Sequence, residues 1–238
     1  MQMSLTINGF PVEAAYPDKA VTEIFLPFLL RLRDMATDGR RMIVFLAAPP
    51  ATGKSTLAAF LEAYAATIPG MPKVQAVGMD GFHYPNQYLD SHTTTLRGET
   101  VPLRTVKGAP PSFDAEGLRD SLTRLKKADI LWPVYDRNLH DPVPDALQIT
   151  APIVLVEGNW LLLPEPRWQH LPHDYSVFIT AREEQLRQRL LQRKMRGGAT
   201  EEEALRHYEN SDGPNVRLCL AAHDPAQEEW CLDDFLVR

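Results

Sequence analysis

The sequence predicts an α/β fold, a doubly wound parallel sheet flanked by helices, on three observations. Short, wholly apolar runs such as Met42-Ile-Val-Phe-Leu-Ala47 and Ile153-Val-Leu-Val156 read as strands buried on both faces. Patterns with helical spacing separate these runs, which is the signature of strands joined by crossover helices. The runs also deliver polar and glycine residues at their carboxyl ends, the edge where ligands bind in open sheets of this kind. With 238 residues the chain is long enough for one large domain, which buries roughly 70 to 75% of its unfolded surface. Residues 39–238 are expected to form that domain, and residues 1–38 a hairpin and helix packed upon it.

Taken in order, residues 5–15 alternate around Asn8-Gly9, a pair that favours a type I′ hairpin, and Pro11 marks it as an edge feature. Residues 21–35 place Ile24, Phe25, Phe28, Leu29 and Leu32 on a helical stripe. The apolar run after Arg41 is the first core strand, and residues 55–64 form the helix that follows it. Residues 73–78 read as a second strand that presents Asp80, while residues 84–111 are polar, rich in Thr, Gly and Pro, and expected to be a long loop. A helix is predicted over 114–127, with Asp114 as its N-cap and Leu118, Leu122 and Leu125 on one face. A strand over 153–156 ends in Glu157-Gly158, a further strand spans 175–180, and an arginine-rich helix spans 183–195.

Composition narrows the function classes. The net charge of -6 argues against a general nucleic-acid coat, because a phosphate backbone demands a basic stripe. Cys219 and Cys231 lack a metal-like spacing and are expected to be reduced. No basic leader and no run of ~18 apolar residues stands in the chain, so a soluble, cytoplasmic protein without a membrane contact is expected.

The most informative stretch is Ala48-Pro49-Pro50-Ala51-Thr52-Gly53-Lys54-Ser55-Thr56, lying between a strand and a helix. It matches the P-loop pattern except at Ala48, where the first glycine is usual. In such a loop backbone N–H groups cradle phosphates, the lysine bridges them and the serine hydroxyl ligates Mg²⁺, with the helix N-terminus aimed at the same charge. Nucleotide binding follows, but a P-loop alone does not separate kinase from GTPase, motor or regulatory ATPase.

The acidic residues at the strand ends discriminate further. Asp80 can accept a proton from a substrate hydroxyl, or it can simply form an Asp-Gly turn. Glu157 occupies a Walker B-like place where a carboxylate can support the Mg²⁺ shell, or it can serve a Glu-Gly turn. No Asn-Lys-x-Asp motif occurs, which disfavours a GTPase switch. Arg189, Arg193 and Arg196 share one helix face before Gly197-Gly198. They read either as a lid, about residues 182–213, that brings cations to the γ-phosphate, or as a solvated face paired with Glu183 and Glu184.

Five short segments together resemble one family. They are Met79-Asp-Gly-Phe-His-Tyr-Pro-Asn86, Lys107-Gly-Ala-Pro-Pro-Ser-Phe-Asp114, Pro133-Val-Tyr-Asp-Arg137, Val156-Glu-Gly-Asn-Trp-Leu-Leu-Leu163 and Asp212-Gly-Pro-Asn215. In content and order they resemble the group of P-loop kinases that includes uridine kinase, phosphoribulokinase and bacterial pantothenate kinase, and within it the fructose-transport-system-kinase-like proteins. The resemblance spans about residues 40–220 and implies a P-loop NTPase fold using ATP and Mg²⁺. It implies Asp80 as general base, Lys54 and Ser55 at the phosphates and metal, and Glu157 at the metal. It further implies Lys107 and Tyr135 at the acceptor, Arg189 and Arg193 in the lid, and Asn215 near the nucleotide. His83 and Asn86 would contact the acceptor, although His83 could equally brace the strand end.

Arg137 departs from the pattern, since the pantothenate kinases carry a histidine there, and segment 91–106 looks longer than in the group. The guanidinium could pair with an anionic acceptor or with Asp136 or Asp141. The sequence therefore predicts an ATP-dependent kinase acting on a small-molecule acceptor, whether sugar, sugar phosphate, nucleoside or pantothenate-like alcohol, and leaves a homodimer open. The rival expectation is a regulatory P-loop protein in which ATP binding is not followed by acceptor-dependent turnover. A nucleic-acid-dependent ATPase would need a basic track that this composition does not supply.

Overall fold

A computed structural model of the chain describes residues 1–7, 9–36, 39–96 and 98–234. Strands β1 (Gln2–Ile7) and β2 (Phe10–Ala15) form an antiparallel ribbon. Asn8 of the expected turn lies outside the described residues, as does Asp38 at the expected boundary with the main domain. The chain then runs through α1 (Asp18–Ala20), one π-turn (Val21–Phe25) and α2 (Leu26–Met35) as a continuous helical segment. Pro27, which has no N–H to donate, stands in the first turn of α2.

The main domain follows with β3 (Met42–Ala47), α3 (Lys54–Ala65), β4 (Val74–Gly78), α4 (Asn86–Ser91), β5 (Thr93–Leu96) and β6 (Glu99–Pro102). Next come α5 (Ala115–Leu125), β7 (Ile130–Asp136), β8 (Asp141–Ile149), β9 (Ile153–Gly158) and β10 (Tyr175–Thr180). The chain closes with α6 (Glu183–Arg196), α7 (Glu201–His207), α8 (Gly213–Ala221) and β11 (Glu228–Cys231). Five strands form the central sheet in the order β11-β10-β3-β9-β4, and every pair is parallel.

Alternation along β3 divides the core between the two faces. Val44 and Leu46 join Phe25, Phe28, Leu57 and Phe60 beneath α2 and α3, while Ile43 and Phe45 join Leu118, Trp132 and Trp160 on the side of α5. Each such side chain, fully withdrawn from water, contributes about 1.5–3 kcal/mol. Asp114 caps α5 as expected, its Oδ1 accepting the Gly117 N–H at 2.9 Å.

Two regions differ from expectation. Residues 84–111 are not one irregular loop: they contain α4, the β5–β6 hairpin and two 3₁₀ turns. A stack of Tyr84 on Tyr88 (4.2 Å) and Tyr88 on His92 (3.7 Å) orders α4 through contacts that no hydropathy pattern displays. The long β7–β8 hairpin was likewise hidden, because Pro133, Pro142 and Pro144 interrupt its strand pattern. The ladder tolerates Pro133 through a register shift between Trp132 and Val134.

Candidate active site

The parallel register places three chain segments side by side at the carboxyl edge. Ala47 of β3 is opposite Gly158 of β9, and Gly78 of β4 is opposite Glu157. Loop 48–53, Glu157 and Asp80 therefore meet because the strands that precede them are neighbours.

The loop is shaped by its own backbone. Ala48 is fully buried and its N–H is spent on the Gly158 carbonyl at 3.1 Å, so it anchors the junction instead of facing the cleft. The Thr52 hydroxyl donates to the Pro49 carbonyl at 2.5 Å, folding the loop back on itself. Ala51 (φ 62°) and Gly53 (φ 99°) take left-handed conformations that turn the chain into α3. Helix α3 starts at Lys54 without a side-chain cap, so its first N–H groups stay open to an anion. Pro50, Ala51, Gly53, Lys54, Ser55 and Thr56 line a cleft of about 360 Å³. Pro49 and Thr52 are buried and, contrary to expectation, do not line that cleft.

Glu157 stands against Ser55 and Lys54 at the end of the phosphate loop. Its Oε1 accepts the Ser55 hydroxyl at 2.7 Å and its Oε2 lies 4.0 Å from Lys54 Nζ. Burial pushes the Glu157 carboxyl above the usual carboxylate range, against the pull of Lys54, and the nearby Asp80 charge adds to the rise. A cation there would relieve the crowding of these two acids. The carboxylate and hydroxyl oxygens are the donor set that Mg²⁺ prefers, so the residues fit the metal. Gly78 makes room for this arrangement, since a Cβ there would stand 3.2 Å from Glu157 Oε1.

Asp80 sits in the 3₁₀ turn (Met79–Phe82) directly after β4 and lines the same cleft. Its backbone carbonyl accepts both the His83 N–H (3.1 Å) and His83 Nδ1 (2.8 Å). Among the described residues no hydrogen bond or ion pair engages its carboxylate. The carboxylate is thus held by its backbone with its oxygens left available.

The acceptor side is built from less local parts. His83 packs on Phe113 at 3.8 Å and beside Tyr135 at 5.1 Å, and burial holds its imidazole below the ordinary histidine value. Because Nδ1 donates to a carbonyl, neutral His83 keeps Nε2 as an acceptor. Lys107 Nζ donates to Asn86 Oδ1 (2.6 Å) and the His140 carbonyl (2.7 Å) and lies 5.1 Å from the Tyr135 ring centroid. Asn86 does not line the cleft itself: its Oδ1 is taken by Lys107, its Nδ2 donates to the His140 carbonyl at 3.0 Å, and its N–H donates to Asp141. The structure therefore brings His83, Lys107 and Tyr135 to the cleft and leaves Asn86 behind them as their support.

Arg137 also lines the cleft, and it pairs with neither neighbouring acid. Asp136 Oδ1 accepts the N–H groups of Asn138 and Leu139, and Asp141 Oδ1 accepts that of Asn86. Asn215 is buried at the cleft wall, 7% exposed.

The lid arginines separate. Arg193 lines the cleft. Arg189 instead reaches the Ala51 and Thr52 carbonyls at 3.5 and 3.4 Å and pairs with Asp233 at 3.3 Å. It braces the outside of the phosphate loop. Among the described residues Arg196 makes only a 3.5 Å contact with Gln192, and Glu183 pairs with Arg217 from α8.

Asn159 and Asp212 also line the cleft and were not singled out from sequence. Asn159 Oδ1 is buried without a hydrogen bond among the described residues, a cost that a ligand donor would remove. Both lie within the segments 156–163 and 212–215, so the signal was present but assigned to their neighbours.

Comparison with known proteins places this geometry. No protein-family model matches the chain. It is 44% identical over 224 residues to the Escherichia coli protein "Uncharacterized protein YggC", covering 92% of this chain and 91% of that one. It is 33% identical over 187 residues to the Schizosaccharomyces pombe "Putative uridine kinase C227.14", covering 74% of this chain and 77% of that one. Among solved structures, a "putative fructose transport system kinase" from Silicibacter sp. TM1040 superposes with a TM-score of 0.76 at 31% identity, over 86% of this chain and 97% of that one. Pantothenate kinases match over a smaller share of their own length, 46% for the Shouchella clausii enzyme. With the P-loop, the strand-end acids and the parallel sheet in place, the chain belongs to the P-loop kinases of the uridine kinase and pantothenate kinase group.

Proposed function

We propose that this kinase transfers the γ-phosphoryl group of ATP to a hydroxyl of a small-molecule acceptor, with Asp80 as general base. The observation that carries the reading is the uncommitted Asp80 carboxylate in one cleft with Lys54, Ser55 and Thr56. Ser55 and Glu157 would hold Mg²⁺, which when bound neutralises phosphate charge. Lys54 and the N-terminus of α3 bind the phosphates, and Arg193 adds a cation from the lid side. As the acceptor oxygen attacks phosphorus, its proton passes to Asp80, the O–P bond to the acceptor forms and the bond to ADP breaks.

His83, Lys107, Tyr135 and Arg137 surround the place where the attacking hydroxyl would lie, and Asn215 the nucleotide. The acceptor class is a sugar, sugar phosphate, nucleoside or pantothenate-like alcohol, in keeping with the names of relatives that refer to uridine and to fructose transport. The test is ADP release from Mg·ATP across a panel of these compounds, with Asp80→Asn in parallel. Acceptor-dependent release that disappears in the variant supports the reading. ATP binding without a response to any acceptor would favour a regulatory nucleotide-binding protein.

A further inference from the structure

We infer that the acceptor extends past Asp80 into a second lobe of about 270 Å³, and that this lobe selects a neutral polyhydroxy compound whose distal hydroxyl donates to Glu62. The inference rests on the kinase reading above and names the substrate class of the same site. The lobe shares Ser55, Asp80, Tyr135 and Arg137 with the nucleotide cleft, so the two spaces meet at the proposed base.

Helix α3 provides one wall. Ser55, Ala59 and Glu62 are spaced four and three residues apart and lie on one helix face, so the lobe follows α3 for about 10 Å. Small side chains at Ala58, Ala59, Ala76 and Gly78 open the space, and Leu147 from β8 closes it opposite. This strip offers carbon surface to the C–H face of a sugar.

Glu62 ends the strip. Its Oε2 accepts the Ala76 N–H at 3.1 Å, and Oε1 has no hydrogen bond among the described residues. Burial raises this carboxyl above its ordinary value, so an added donor would stabilise its charged form. The lobe holds Glu62, Asp80 and Glu157 against Arg137, which stands at the junction with the nucleotide cleft. Lys73, whose charge also reaches Glu62, does not line the lobe but an outer groove that meets it at Thr6, Ala59 and Glu62. Within the lobe itself a distal phosphate or carboxylate would meet three acids and one arginine, whereas a hydroxyl supplies the donor that Oε1 lacks.

The experiment measures ADP release by the full chain with Mg·ATP and free hexoses, hexitols or the matching hexose 6-phosphates, for wild type, Ala59→Phe and Glu62→Gln. Neutral compounds should exceed their phosphates in kcat/KM by about tenfold or more. Ala59→Phe fills the lobe from a half-buried helix position and should raise acceptor KM about tenfold, with ATP affinity kept. Glu62→Gln retains an oxygen for the Ala76 N–H and should narrow the preference over phosphates. Thermal melts establish that each variant folds, and Glu62→Gln alone suffices if Ala59→Phe does not. Acceptor-dependent turnover that favours phosphates, or that ignores both substitutions, overturns the lobe while leaving the kinase intact. Absence of turnover with hexoses, hexitols, nucleosides and pantothenate alike overturns the kinase reading, and this inference with it.

Discussion

Gly81→Ala tests whether the carboxyl end of β4 and the β7–β8 hairpin form one mechanical unit with the base. A Cβ built on Gly81 would lie 2.0 Å from the Pro133 carbonyl oxygen, 2.4 Å from its carbon and 2.9 Å from Val134 N. These are backbone atoms and no rotamer relieves them. To approach ordinary contact, near 3.5 Å, the turn and the hairpin must part by about 1 Å or more. Overpacking of this kind costs about 1–3 kcal/mol, and in a domain of this size each kcal/mol lowers the melting temperature by about 2–4 °C. The displaced atoms flank Asp80 on one side and lead to Tyr135 on the other. Since a misplacement near 1 Å costs on the order of 10²-fold in rate, kcat should fall by about that factor. The assay pairs a thermal melt with acceptor-dependent ADP release well below the melt. Gly70→Ala is the control: Gly70 has φ +73° with nothing near its absent Cβ, so it should lose stability by about 1–2 kcal/mol through backbone strain and keep its kcat. A Gly81→Ala protein that melts within about 1 °C of wild type and turns over normally would refute the coupling.

Other residues yield sharper contrasts. Asp80→Asn should leave ATP affinity nearly intact and lower kcat by ~10²–10⁴-fold, and full activity would remove Asp80 as base. Lys54→Ala should impair both ATP binding and turnover, because it withdraws the cation nearest Glu157 and the phosphates; normal turnover would sink the phosphate-loop assignment. Arg189→Gln should weaken ATP binding and lower stability by about 1–2 kcal/mol, since it frees two loop carbonyls and one partner of Asp233. Arg193→Gln should lower kcat with little change in the melt, and the opposite pattern between these arginines would reverse their roles. Burial depresses the His83 pKa, so the unfolded chain takes up a proton before the folded one as pH falls below about 6.5. Stability associated with His83 is therefore present above that pH and lost below it, and His83→Phe should flatten the acid side of urea midpoints measured between about pH 7.5 and 5. An unchanged slope would show that His83 stays accessible to protons.

The parts of the fold legible in the sequence are those whose signal is local. β3 is an unbroken apolar run and β9 opens with one over residues 153–156, α5 carries its leucines at helical spacing behind an Asp cap, and the phosphate loop is a contiguous pattern whose geometry backbone dihedrals enforce. The β7–β8 hairpin was missed because prolines on an edge ladder erase the alternation that announces a strand. Arg189 and Arg193 look equivalent on a helical wheel. Only the position of Asp233, 44 residues further along, makes one a brace for the loop.

The same distinction explains why the phosphoryl-transfer end of the site is readable and the acceptor end is not. Phosphate is gripped largely by main-chain N–H groups, so its recognition is encoded as a short motif with fixed spacing. The acceptor space is assembled from single side chains on α3, β4 and the β7–β8 hairpin, and no spacing rule links Glu62, Ala76 and Leu147. On a helix facing water Glu62 would count as one more solvated charge. Here its Oε2 is bound to the Ala76 N–H of β4 while the other oxygen borders a lobe that opens onto Asp80. Arg137 follows the same logic: two adjacent acids offered it partners in the sequence, but turn N–H groups and the α4 N-terminus take those carboxylates first. Competition for hydrogen bonds decides which charged groups are spent on the fold and which remain for the substrate, and that competition is settled only once distant segments meet.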